Sequence, residues 1–321
     1  METQNELLKS IDRQTKSLTN KQITLILAFA GVYVLWGSTY FAIKILVHSV
    51  PVFLMAAARF LIAGTIMLVW GKLSSQALPE IRQIYNAAIS GFILLVLGNG
   101  TMLFANSYIS SSGVIAVIVA ITPLWMVLLQ WLWNKGAQPT FAIWTGIALG
   151  IMGMYFLAGP DNMPSLGKSS WVGILLVVAG TVFWAIGTIY SKGTIMPESS
   201  IYTSAIQMLA ASVSMFVFGS VAGDWQQLNF SAYGWAEGLS FIYLVIGGSV
   251  LGFTAYSYIT KNAPAASVST YAYVNPVIAL FIGSWIGHEI ISNQTLLACA
   301  LLLAGVILIV VKPKVAIKIR G

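Results

Sequence analysis

Between Arg82 and Lys135 the chain carries not one Asp, Glu, Lys or Arg. A helix rising 1.5 Å per residue crosses the roughly 30 Å hydrocarbon layer of a bilayer in about 20 residues, so this interval is twice too long for one crossing. Ser110-Ser-Ser-Gly113 interrupts it midway, and two helices joined by a tight turn result. Charged residues make up 8% of the 321 and hydrophobic residues 58%, against roughly 25% charge in a soluble domain. Such a surface cannot be hydrated. The solvent for these side chains is lipid.

Apolar runs of the required length place spans at 23–46, 52–71, 84–108, 112–133, 140–158, 170–191, 199–221, 236–259, 265–287 and 292–311. Residues 1–22 are polar and mixed in charge, without the short apolar core of a signal peptide, and read as a cytoplasmic tail. Residues 312–321 form a basic cytoplasmic tail. Cys299 has no intramolecular thiol partner. Threading the spans puts Lys9, Arg13, Lys16, Lys21, Lys72, Arg82, Lys135, Lys192, Lys261, Lys312, Lys314, Lys318 and Arg320 on one side. Only Lys44 and Lys168 fall on the other, with Arg59 inside a helix. Thirteen against two makes the first side cytoplasmic, with both termini there. The net charge of +7 is thereby explained by topology, without nucleic acid.

The chain also repeats itself. Trp36-Gly-Ser-Thr-Tyr-Phe-Ala-Ile-Lys44 and Trp184-Ala-Ile-Gly-Thr-Ile-Tyr-Ser-Lys192 hold Trp and Lys eight residues apart, 148 positions removed. Ala105-Asn-Ser-Tyr-Ile109 meets Ala255-Tyr-Ser-Tyr-Ile259 at an offset of 150, Gly153 meets Gly305 at 152, and Pro123 meets Pro276 at 153. An ordered series with slow drift reads as duplication. The halves are 23–158 and 170–311, each with five helices. Five is odd, so the second half enters the membrane from the opposite side. Two inverted repeats offer two related arrangements of one chain, as alternating access requires.

Trp36-Gly-Ser-Thr-Tyr-Phe41, Ala58-Arg-Phe60, Gly98-Asn-Gly100, Ser269-Thr-Tyr-Ala-Tyr-Val-Asn-Pro276 and Gly287-His-Glu289 together resemble the EamA group of the drug/metabolite transporter superfamily, in its YedA-like inner-membrane branch. The resemblance covers about residues 23–311. It implies an all-α membrane protein of ten transmembrane helices in two inverted five-helix repeats, located in the cell (inner) membrane. It also implies net export, and a structural role for Arg59, since Arg-Phe recurs across carriers with unlike cargo.

Polar groups at bilayer depth are costly unless paired or wet, which makes them candidates for substrate binding. Trp36, Ser38, Tyr40, Asn99, Trp184, Tyr256, Tyr271 and Asn275 form the expected binding set. Pro123 and Pro276 free the carbonyls of Val119 and Ala272 and are expected to bend their helices; Arg59 joins them as a structural or gating residue. Trp70, Trp131, Trp133, Trp171 and Trp285 fall near span ends, as belt anchors. Gly146, Gly150 and Gly153 on the fifth helix and Ala298 and Gly305 on the tenth make close-packing faces, for each other or for an oligomer.

No carboxylate falls at mid-depth, so the buried acid of proton-driven carriers is missing, and no metal-ligand spacing or nucleophile–base pair appears. The expectation is a carrier, not an enzyme, with no cofactor, as a monomer or weak homodimer. Its substrate is a small polar metabolite, an amino acid or related zwitterion, moved by alternating access. A broad-specificity drug or purine/nucleoside exporter coupled to protons is the alternative, and a channel or membrane receptor ranks below it.

Overall fold

A computed structural model describes residues 2–47, 49–105, 108, 118–119, 121–133, 138–158, 170–229, 233–287 and 293–310. The side chains of 2–19, Tyr40 and Lys44 fall outside that description, as do the Ser110–Gly113 turn, Lys168, Glu289 and the 312–321 tail. Every regular element among the described residues is helical: α1 Glu2–Val47, α2 Val52–Leu73, α3 Ile81–Ala105, α4 Thr122–Trp133, α5 Phe141–Ala158, α6 Ser170–Gly193, α7 Ser200–Ala222, α8 Trp235–Asn262, α9 Tyr271–Gly287 and α10 Asn293–Val310, with single turns at Asp224–Gln227 and Ala265–Val268.

Among the described residues six stretches are long and apolar enough to cross a membrane: Asn20–Ile43, Val52–Leu73, Ile81–Ala105, Val172–Gly193, Ser200–Ala222 and Trp235–Asn262. Among the described residues the expected spans 112–133, 140–158, 265–287 and 292–311 appear as the shorter helices α4, α5, α9 and α10. For 265–287 the reason is a break. After the Ala265–Val268 turn the chain loosens at Ser269 and Thr270, whose hydroxyls donate to the carbonyls of Ala266 (2.9 Å) and Ser267 (2.6 Å) before α9 begins. Such back-bonding competes with the helical ladder and bends the axis. The bend expected at Pro276 thus has a companion about two turns earlier.

The ends of the helices are fixed locally. The Asp224 carboxylate accepts from the Phe53 and Leu54 amides at 3.1 and 3.2 Å, capping the N-terminus of α2 from the far end of α7. Ser199 caps α7 through the Ile201 amide at 3.2 Å, and Gly223, at φ +79°, ends it in the left-handed conformation glycine tolerates.

Pairing of helices follows a pattern. α2 packs on α7 and α5 on α10; α1 packs on α9 and α8, α6 on α4 and α3; α3 meets α7, and α8 meets α2. Adding five to each helix number, or subtracting it, turns every pair into another of the set. For two corresponding pairs, α1 with α6 and α3 with α8, the directions are opposite. Lys21 at the start of the α1 span and Glu198, just past the end of α6, line one surface pocket. At that end, too, Asn86 near the start of α3 bonds the Ile195 carbonyl and α8 finishes at Lys261 and Asn262. Close approach is bought with missing side chains: a Cβ on Gly153 would lie 2.9 Å from the Ala298 carbonyl, and one on Gly305 2.7 Å from the Gly146 carbonyl. The small-residue faces of α5 and α10 meet each other.

Outward, the bundle is apolar. Val221, Trp235, Phe141 and Trp285 are more than four-fifths exposed, and Leu61, Val69, Val213 and Val217 line the flanks. An exposed apolar surface of this extent is a lipid surface. Trp70, Trp133 and Trp285 are exposed at helix ends, while Trp131 is half-buried.

A candidate binding site between the halves

Neither α3 nor α8 is a plain α-helix. Each unwinds into π geometry in the middle, at Phe92–Gly100 and Leu244–Leu251. The wider turn leaves carbonyls looking for donors. Thr101 donates to the Leu97 and Gly98 carbonyls at 2.5 and 3.0 Å, and Thr254 donates to Val250 at 2.5 Å. Glycines sit in both wide turns and admit a tryptophan-bearing helix. A Cβ on Gly98 would come 3.3 Å from the Trp184 amide, and one on Gly252, just past the second turn, 2.7 Å from Trp36 Nε1.

Around those turns the aromatic side chains converge. Trp36 from α1 lies edge-on to Trp184 from α6 at 5.7 Å between ring centroids, tilted against Tyr256 from α8 at 4.9 Å, and edge-on to Tyr271 from α9 at 5.2 Å. Tyr256 closes the group on Trp184 (5.6 Å) and Tyr271 (5.8 Å), with Phe253 behind. Edge-to-face pairs at these separations contribute about 0.5–1.5 kcal/mol each beyond burial.

The two indole nitrogens and the Tyr256 hydroxyl of this hub are engaged. Trp36 Nε1 donates to the Gly248 carbonyl at 3.0 Å. Trp184 Nε1 donates to the Tyr256 hydroxyl at 2.9 Å, and Thr188, one turn on, donates to the Trp184 carbonyl at 2.8 Å. With the Thr188 proton so placed, the 2.5 Å contact between the two hydroxyls requires Tyr256 to donate to Thr188. The ring of bonds fixes both aromatic planes. Asn275, with its amide nitrogen turned inward, donates to the Tyr271 and Tyr33 carbonyls at 3.1 and 3.2 Å, while the Tyr33 hydroxyl reaches Thr270 at 2.6 Å. Asn275 therefore ties α1 to the α9 break beside the hub.

Trp36, Trp184, Tyr256 and Tyr271 thus come together and Asn275 abuts them. Ser38 does not join their hydrogen-bond network; it bonds the Val34 and Leu35 carbonyls and the Tyr243 hydroxyl. Asn99 is half-buried on the π turn of α3 and makes no hydrogen bond among the described residues. The Tyr40 side chain lies outside them. Arg59 donates from Nε to Ser249 at 2.7 Å and lies over the Phe60 ring at 5.5 Å. It grips the same turn of α8 whose Gly248 carbonyl holds Trp36. Pro123 frees the Val119 carbonyl and Thr122 takes it at 2.6 Å, at the start of α4. Tyr273, two residues from Tyr271, faces away: its ring lies where a Gly150 Cβ would be, against α5.

Sequence reasoning missed Phe253, Thr188, Thr270 and Tyr33. Helical spacing could have found the first two, since Phe253 stands three before Tyr256 and Thr188 four after Trp184, on one face each.

A second feature opens at the Lys192 end. There a cavity of about 160 Å³ is lined by Leu94, Lys192, Gln207, Tyr256, Ser257 and Lys261, among others. Lys192 Nζ donates to the Thr260 and Ala263 carbonyls at 2.6 and 2.5 Å, capping α8, and Lys261 donates to the Glu198 carbonyl at 2.6 Å. Tyr256 is common to this cavity and the hub.

A lipid-facing helical bundle with a polar-edged aromatic centre and a cavity at one end has the form of a membrane transporter. The EamA-like transporter family model matches the chain twice, over residues 23–159 and 171–311, and the chain belongs to that family. It is 36% identical to the uncharacterized inner membrane transporter YedA of Escherichia coli K12 over 282 residues, covering 88% of this chain and 89% of that one. The uncharacterized transporter YvbV of Bacillus subtilis 168 is 25% identical, covering 93% and 95%. A solved crystal structure superposes with a TM-score of 0.76 at 20% identity, covering 89% of this chain and 97% of that one; at that identity the likeness concerns the fold. The protein is a multi-pass membrane transporter of the EamA type.

Proposed function

We infer that the protein is a secondary transporter of the inner membrane that moves a small polar metabolite, an amino acid or related zwitterion, by alternating access. Ten helices cross the bilayer as two inverted repeats, 23–158 and 170–311, with both termini in the cytoplasm. The five-apart pairing of helices supports that arrangement, as does the double match to one family model. One observation carries the transport site: the two tryptophans of the duplicated stretch, Trp36 and Trp184, meet at 5.7 Å on glycine-bearing π turns of opposite halves. A hub shared by two inverted halves is the place both access routes must reach.

Aromatic faces accept an ammonium and tyrosine hydroxyls bond a carboxylate. The same stack of rings would hold a planar base, which favours a purine or nucleoside as the second reading. Among the described residues the one buried acid is Asp224, occupied in capping α2. The proposed transport is therefore facilitated diffusion or exchange, with export as its direction. In proteoliposomes, labelled substrate should accumulate transiently against unlabelled substrate loaded inside, which separates a carrier from a channel. A transmembrane pH gradient should not drive uphill flux; if it does, the uncoupled reading fails.

A further inference from the structure

The cavity at the Lys192 end holds two charged lining residues, Lys192 and Lys261, and no Asp or Glu lines it. Lys192 Nζ has three protons to donate, and two are used, both on neutral carbonyls. It makes no ion pair with any described carboxylate. Its third proton and its full positive charge are open to an anionic occupant. Gln207 supplies the opposite need. Its side chain is 2% exposed and lines the same cavity. Its Nε2 donates to Ser90 at 2.8 Å, while Oε1 has no donor among the described residues. Buried acceptors of this kind are rare in native structures and call for a partner. The pairing is one cation with a spare donor and one neutral acceptor without a donor.

Resting on the transport reading above, we propose that this cavity is the loading site for a small α-amino acid. Lys192 takes the carboxylate, and Gln207 Oε1 accepts from the ammonium. The Leu94 side of the cavity faces the side chain of the substrate. The volume of about 160 Å³ suits a small substrate. Tyr256 lines this cavity and belongs to the aromatic hub, so it is a residue the two share. Tyr256 is held by Trp184 and Thr188, and substrate binding competes with that ring of bonds.

The test uses full-length protein in nanodiscs and measures displacement of radiolabelled alanine, serine and threonine. Competitors are the analogues that lack one charge: propionate and lactate without the ammonium, ethanolamine without the carboxylate. Intact amino acids should bind, and each analogue should compete about tenfold or more less well, the worth of one charge-assisted hydrogen bond. Lys192→Gln keeps a donor for the α8 carbonyls. It should weaken amino-acid binding about tenfold and erase the preference over ethanolamine, while Lys192→Arg keeps both. Gln207→Met should erase the preference over lactate. Analogues that compete as well as alanine overturn the proposal, and so do both variants binding within twofold of the parent. If those variants also show normal amino-acid counterflow, the transport reading stands without this site. If the parent protein neither binds nor exchanges any amino acid, the substrate class of both readings is wrong. Should Lys192→Gln fail to fold, the competition series on the parent protein still decides.

Discussion

Trp36 and Trp184 occupy corresponding places in the two halves yet are held differently. The indole of Trp36 donates to a backbone carbonyl of a π turn, whereas that of Trp184 donates to the Tyr256 side chain. A side-chain partner can rotate away; a carbonyl in a helix cannot. Trp184 is therefore held through side chains and Trp36 through the backbone. Replacing Trp36 or Trp184 by Ala removes two or more ring contacts and should cut exchange flux about tenfold or more, read by counterflow in proteoliposomes. A lower thermal midpoint with unchanged flux and affinity would reduce both to packing. Arg59 is a different case. Its Nε bond to Ser249 is geometry Lys cannot copy, so Arg59→Lys should lower stability by about 1–2 kcal/mol in thermal unfolding and leave substrate affinity unchanged. Altered affinity at unchanged stability would move Arg59 into the binding set. Its role was legible only as far as its cost: a charge inside a helix needs a partner, but nothing in the sequence named Ser249.

Helices were legible because lipid imposes one rule, long apolar runs, and charge marks where they end. Starts and stops of α2, α6, α7 and α8 fall within three residues of the apolar boundaries. What remained hidden were departures from regular winding. Phe92–Gly100 and Leu244–Leu251 are as apolar as their neighbours, and π turns arise from which carbonyls find Thr101 or Thr254, a matter of geometry. The Ser269–Thr270 break likewise depends on hydroxyls folding back, while the only visible signal, Pro276, lies about two turns on. The glycine faces could be read, because a missing Cβ at helical spacing has few other uses. Gly153→Leu would drive its side chain into Ala298 and Leu302. It should separate α5 from α10 and cost about 1–3 kcal/mol of stability, seen as a lower thermal midpoint. Asp224→Ala leaves the Phe53 and Leu54 amides without an acceptor and should cost about 0.5–2 kcal/mol by the same measurement. An unchanged midpoint in either variant would contradict the packing or the cap.

At the scale of the molecule, duplication is the source of both fold and site. Two copies of one stretch bring Trp36 and Trp184 to one place, and in the proposed arrangement the copies run through the bilayer in opposite directions. The cavity lined by Tyr256 lies at the Lys192 end, and the proposed alternation would open the hub toward the other. The central claim is that the two ends exchange roles. The matching points are the loop after α1 with the start of α8, and the loop after α6 with the start of α3. Spin labels at Ser49 and Trp235, and separately at Ile81 and Ile195, report the two ends once the native thiol is removed by Cys299→Ala. Distances from double electron–electron resonance in nanodiscs should show two populations for each pair, with the long population of one pair rising as that of the other falls on addition of transported substrate. Single distances that stay fixed at both ends, in a protein that still carries out exchange, would contradict the account.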